Sequence, residues 1–172
     1  MTGYRPRMRD ELESRYTELR KQSIRLANQA LRMPDVKLAL VDTAAYSAFQ
    51  QWQHHPERKV DWDWPTSWHS WKINYPKRFE CATWKGNRLI GFAMGRPTYH
   101  ATGLRLEYIE KSPEASEPHL DLTYLALYSY ATLLGATYVK IMNPINREVR
   151  DYYEHKGFKY DQKTNSCIRR II

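Results

Sequence analysis

The stretch NREVRDYYEHKGFKY, residues 146–160, sets two adjacent tyrosines, Tyr152 and Tyr153, on an amphipathic helix that runs from Asn146 to Lys156 and stops at a Gly-Phe pair. One ring or both pack a core, or one faces a substrate as a proton donor. Local physics places both rings and does not choose between the roles. The choice depends on what the neighbouring segments build.

Immediately upstream, TYVKIMN, residues 137–143, reads as a strand. Before it, HLDLTYLALYSYATLLGA, residues 119–136, is apolar nearly all round, so it is a buried helix with Gly135 as its C-terminal cap. Downstream, Phe158 to Ile172 gives one or two closing strands. Further back the hydrophobic period is two: FECATW and LIGFAMG flank the Lys85-Gly86-Asn87 turn as a hairpin, and GLRLEYIEKS, residues 103–112, adds a third strand. Alternation along that third strand puts Leu104, Leu106, Tyr108 and Glu110 on one face, and Arg105, Glu107, Ile109 and Lys111 on the other.

The amino-terminal part is helical first. From about Pro6 to Arg32 the positions Met8, Leu12, Tyr16, Leu19, Ser23, Leu26 and Ala30 form a narrow stripe, flanked by Arg15, Arg20, Lys21 and Arg25. Such a helix docks on its own domain as a strap or pairs with a partner helix. VKLALVD, residues 36–42, then reads as a strand, with Asp42-Thr43 capping a short helix over AAYSAFQQW. Next, Trp62, Trp64, Trp68 and Trp71 crowd around Pro65, where Thr66 or Ser67 would cap a brief helix. The predicted order is α+β with a mixed sheet: residues 1–35 as a helical extension, residues 36–172 as one domain.

The 172 residues suffice for one sizeable core. No run approaches the roughly 18–20 apolar residues of a membrane span, and MTGYRPRMRDELE lacks the apolar centre of a signal peptide, so a soluble, cytoplasmic protein is expected. Cys81 and Cys167 have no metal-ligand spacing and read as buried, reduced thiols; no metal is expected. The net charge of +8 sits at the ends: residues 1–32 carry eight Lys/Arg against four Asp/Glu, residues 147–172 seven against four. Basic ends suit a polyanionic partner, whether nucleic acid, phosphorylated ligand or acidic protein, or serve solubility alone.

The element order and the opening stretch together resemble the GCN5-related N-acetyltransferases. Asn146, Val149, Tyr153, Glu154, Gly157 and Phe158 fall on the positions that the family's last helix commonly fills, and KGNRLIGFAMG looks like its second-to-third strand hairpin. The resemblance covers about residues 36–172 and implies a mostly antiparallel sheet flanked by helices, with the amino-terminal helix added. It also implies a V-shaped opening for the thioester arm of acetyl-CoA or another acyl thioester. In that frame Ile109, Lys111, Ser112, Asn143 and Asn146 border the arm and Tyr153 protonates the departing thiolate. Tyr152 is then a core ring, and Glu110, with Glu107 as the other choice, removes a proton from the amine. The wall of the acceptor site falls on Trp62, Trp64, Trp68, His69 and Trp71, with Asp61 and Asp63 able to hold a cationic amine; the plainer account is that these rings fill space between the strap helix and the sheet.

One motif departs from the family. There is no glycine between Gly103 and Gly135, and Glu114, Glu117 and Asp121 place negative charge at the start of the buried helix, where a pyrophosphate would sit. The readings are an N-acyltransferase that holds CoA with basic residues from elsewhere or takes its acyl group from another carrier, or a catalytically degenerate fold that docks a protein or nucleic-acid partner. Exposed tryptophans would add base stacking to the last.

Overall fold

The hairpin, meander and closing-strand signals all resolve into a single sheet. A computed structural model describes residues 4–171; residues 1–3 and Ile172, the last residue of the expected closing strands, lie outside it. In chain order the elements are α1 (Tyr4–Ala30), β1 (Val36–Ala39), α2 (Thr43–Phe49), α3 (Trp64–Asn74), β2 (Phe79–Lys85), β3 (Arg88–Pro97) and β4 (Gly103–Lys111), followed by α4 (His119–Leu134), β5 (Tyr138–Met142), α5 (Arg147–His155), β6 (Lys159–Asp161) and β7 (Ser166–Arg170). The sheet order is β1-β2-β3-β4-β5-β7-β6, and every neighbouring pair is antiparallel except β4 and β5.

Local chemistry fixes several boundaries. Asp42 accepts from the Ala45 amide, and Asn146 accepts from the Val149 amide, each satisfying an open donor of a first helical turn. The cap of α3 is Asp63, which accepts from the Thr66 amide, rather than Thr66 or Ser67. Asp63 precedes Pro65, whose fixed φ suits the first turn, so the helix starts earlier than the hydroxyl signals suggested. Gly135 closes α4 at φ 77°, where a side chain would be strained.

Two cores form, one on each face of the sheet. α1, α4 and α5 cover one face, with Leu38, Leu104, Leu106, Leu127, Tyr130 and Val139 buried there. α2 and α3 cover the other over β2–β4, with Phe49, Trp64, Trp71, Phe92 and Met94. The tryptophans therefore fill space on the face of the sheet opposite most of α1, not between that helix and the sheet. Trp64 stacks on Phe92 with centroids 4.8 Å apart. Cys81 and Cys167 are free and buried, and burial pushes the Cys81 thiol up to about 12.

The expected stripe on α1 is only partly packed on its own domain: Leu19 and Ser23 are packed or buried, whereas Met8, Leu26 and Ala30 are exposed and the packed face turns toward Ile24 and Ala27. Ile24 and Ala27 enter the core shared with α4, and Asn28 donates to the Leu38 carbonyl and accepts from its amide, each at 2.9 Å. Arg20, expected on a solvent flank, is 1% exposed because Glu13 and the Pro76 carbonyl take its guanidinium. Arg78 and Glu80 join that buried ion cluster.

Candidate active site

The sheet parts beside β4. β4 and β5 pair in register only from Gly103 with Tyr138 to Leu106 with Ile141, and the rest of β4 continues with no partner strand on that side. A bulge sits at the same place. Gly95 pairs with Leu106 and Met94 with Tyr108, so Glu107 is the extra residue. The bulge breaks the alternation read from the sequence: Leu104 and Leu106 face α4, while Tyr108 packs with the tryptophans on the opposite face.

The gap opens into a cavity of about 790 Å³, lined among others by Trp62, Glu107, Glu110, Met142, Asn143 and Tyr153. A second cavity of about 620 Å³ adjoins it toward the starts of α4 and α5, sharing Lys59, Ile109, Lys111, Ile145, Val149 and Tyr153. Together they form a passage from the start of α4, past Tyr153, to the Trp62 side. Tyr153 is 8% exposed, and burial, with Cys167 and Tyr152 adding to it, pushes its phenol up to about 12. Tyr152 is 45% exposed and borders the second cavity, so it is not the core ring expected from the sequence. On α5 the buried position of the pair is Tyr153, which contacts Phe158 at 6.3 Å.

The two candidate carboxylates differ in what they already hold. Glu110 accepts from Arg58 through both oxygens, at 2.8 and 2.9 Å, and from the Trp64 indole at 2.7 Å. That bidentate pair pins the segment before α3 to the end of β4. Arg58 also donates to the Gln53 and Trp62 carbonyls and lies over the Phe49 ring. Glu107 meets Arg96 at 3.2 Å and Arg105 at 2.8 Å through Oε1, so its Oε2 is the less committed oxygen at the cavity.

The other predicted residues divide. Ile109, Lys111, Ser112 and Asn143 line the passage, whereas the Asn146 side chain is spent as the cap of α5. Of the tryptophans only Trp62 lines the cavity; Trp64 and Trp71 are core, Trp68 packs beside them with Lys72 over its ring, and His69 is exposed on α3. Base stacking on exposed tryptophans has no footing here. Arg58 and Lys59 emerge only from the structure, because nothing local in the sequence ties them to residues some fifty positions on.

The start of α4 tests whether an anionic carrier fits. Pro118 stands at the cap position and provides no side-chain hydrogen bond. Glu117 is buried among Lys85 and Arg88, at 3.4 and 3.7 Å; burial pushes its carboxyl up, but backbone amides and Lys85 outweigh that and hold it low. Asp121 is tied to Lys156 at 2.9 Å. Two of the three carboxylates that disfavoured an anion, Glu117 and Asp121, are thus paired with cations, while Glu114 is exposed and, among the described residues, has only the His55 ring beside it, at 3.7 Å; Lys59 and Lys111 line the passage. His119 donates Nε2–H to the Phe92 carbonyl at 3.0 Å, leaving Nδ1 buried and unpartnered; burial lowers its pKa to about 4.

No family sequence model matches the chain, and no curated protein matches it by sequence. Solved structures do match. Ard1 from Thermoplasma volcanium superposes with a TM-score of 0.59 at 12% identity, covering 80% of this chain and 99% of its own. An acetyltransferase from Thermus thermophilus gives 0.59 at 15%, covering 82% and 100%. A probable acetyltransferase of the GNAT family from Chromobacterium violaceum gives 0.53 at 16%, covering 80% and 86%. The chain has the fold of the GCN5-related N-acetyltransferases, and what it shares with these proteins at such identities is that fold.

Proposed function

We infer that this protein is an N-acyltransferase that moves an acyl group from a thioester, acetyl-CoA being the first choice, to an amine by direct attack. The observation that carries the reading is the parting of β4 from β5 after Leu106 and Ile141, with the Tyr153 phenol beside the resulting passage. The thioester supplies an activated acyl carbon. The backbone of β4 beyond the bulge offers amides and carbonyls for an extended arm, and Lys59 and Lys111 offer charge to its phosphates.

An amine must be neutral before it attacks, and of Glu107 and Glu110 it is Glu107 that has an oxygen to spare at the cavity. Glu110 is the positioning residue that holds the Arg58–Trp62 wall in place. Tyr153 donates toward the departing sulfur. With its phenol near 12 and a free thiol near 8.5, complete proton transfer would run uphill by roughly 5 kcal/mol. Its contribution is therefore a hydrogen bond that strengthens as charge builds on sulfur.

Calorimetric titration with acetyl-CoA tests the donor assignment directly. Binding in the micromolar to millimolar range is expected; no heat and no thermal shift at millimolar ligand would remove acetyl-CoA and favour another carrier or a non-catalytic scaffold. Once an acceptor is in hand, Tyr153→Phe is expected to lower kcat by about 10²-fold with little change in acetyl-CoA affinity. Unchanged turnover would strip Tyr153 of its role.

A further inference from the structure

We propose that the bare face of β5, β7 and β6 binds single-stranded nucleic acid and so leads an acceptor amine to the cavity; the second half rests on the transferase reading above. Burial along β5 alternates half-exposed, buried, half-exposed, so one face of this strand is in the core and the other is uncovered. α2 and α3 reach only as far as β4 on that side.

The uncovered face has a specific composition. Register places Arg105, Lys140, Ile168 and Lys159 in one row across four strands, and Gly103, Tyr138 and Arg170 in the next. Lys140, Lys159 and Arg170 form no ion pair among the described residues. The carboxylates on this side are Glu107, held by Arg96 and Arg105, and Asp161, which accepts from the Lys163 amide and the Thr164 hydroxyl. The cations that remain are available to phosphates.

An aromatic component separates nucleic acid from an acidic protein. A Cβ placed on Gly103 would run into the Tyr138 ring, so that ring lies across the glycine on the sheet surface. Lys140 sits 5.9 Å from its centroid, and Tyr99, 96% exposed, stands at the same end of the sheet in the β3–β4 connection. Flat rings among cations stack bases and neutralise phosphates; carboxylates alone would have no use for the rings. From Tyr138 two rungs lead through Lys140 to Met142, roughly 13 Å along the strand, and Met142 lines the cavity. A strand laid on this face thus ends at the gap.

The test is fluorescence anisotropy of labelled single-stranded RNA and DNA oligonucleotides at rising salt. Binding is expected to weaken steeply with salt, Lys140→Ala to reduce the slope by roughly 0.7, and Tyr138→Leu to weaken binding about tenfold. Lys21→Ala, on the exposed side of α1, is expected to change nothing. Tighter RNA than DNA names RNA as the source, and equal binding names the shared backbone. No binding at low salt, or binding that ignores Tyr138 and Lys140 but responds to Lys21, overturns the proposal. Circular dichroism melting of each variant checks folding. Acetyl-CoA titration separates the two readings: unsubstituted protein that binds acetyl-CoA but no oligonucleotide sinks the surface alone, one that binds oligonucleotide but no acetyl-CoA sinks delivery to a transferase while leaving the surface, and the Tyr138 and Lys140 variants are expected to keep acetyl-CoA binding.

Discussion

Strands β2 to β4 are packed on both faces, by α1 and α4 on one and by the tryptophan-rich core of α2 and α3 on the other, whereas β5, β7 and β6 are packed on one face only. The candidate site lies at the seam between these halves. The doubly covered half supplies rigid walls, through Glu110, Arg58 and Trp64. The singly covered half supplies Tyr153 from the covered side and leaves the other open to a partner. Covered regions trade access for fixed geometry, and a site at their border has both.

The largest expected effect falls on the covered half. Trp64 is 2% exposed, stacks on Phe92 and donates to Glu110, so Trp64→Ala is expected to cost about 4 kcal/mol, read as a lower urea midpoint. Next comes acid. The folded His119 pKa, about 4, lies below its ordinary 6.5, so the unfolded chain binds the proton first as pH falls. The stability from keeping His119 neutral is full above about pH 6.5 and is lost progressively down to about pH 4, a loss of about 3 kcal/mol that His119→Gln should flatten in denaturation curves across that window. Asn28→Ala removes both hydrogen bonds to Leu38 and is expected to cost about 1–2 kcal/mol in the same measurement. On the bare half, Lys140→Ala should stay within about 0.5 kcal/mol. A Lys140 effect as large as that of Trp64 would erase the distinction between the halves.

Much of the frame was legible because its signals are local. The caps at Asp42 and Gly135 and the Lys85-Gly86-Asn87 turn each act within a few residues, and six spaced positions from Asn146 to Phe158 resembled the fold now seen. What was not legible depends on distant partners. Glu110 looked like a free carboxylate at a strand end until Arg58 and Trp64 came across to it, from 52 and 46 positions away. Tyr152 and Tyr153 are neighbours on one helix, and only the position of β7 and Phe158 decides which is buried. Glu117 and Asp121, at the start of α4, looked prohibitive to an anion until Lys85, Arg88 and Lys156 were found beside them.

The extra residue at Glu107 sets the parity of everything after it on that strand. Were β4 to run through Glu107 as a regular strand, with no bulge to absorb it, plain odd-even order would turn Tyr108 and Glu110 toward α4. Arg58 would then reach for an anion on the wrong side of the sheet, and the Trp64 indole would lose its acceptor. The bulging-out of one amino acid thus decides on which side of the molecule the chemistry lies.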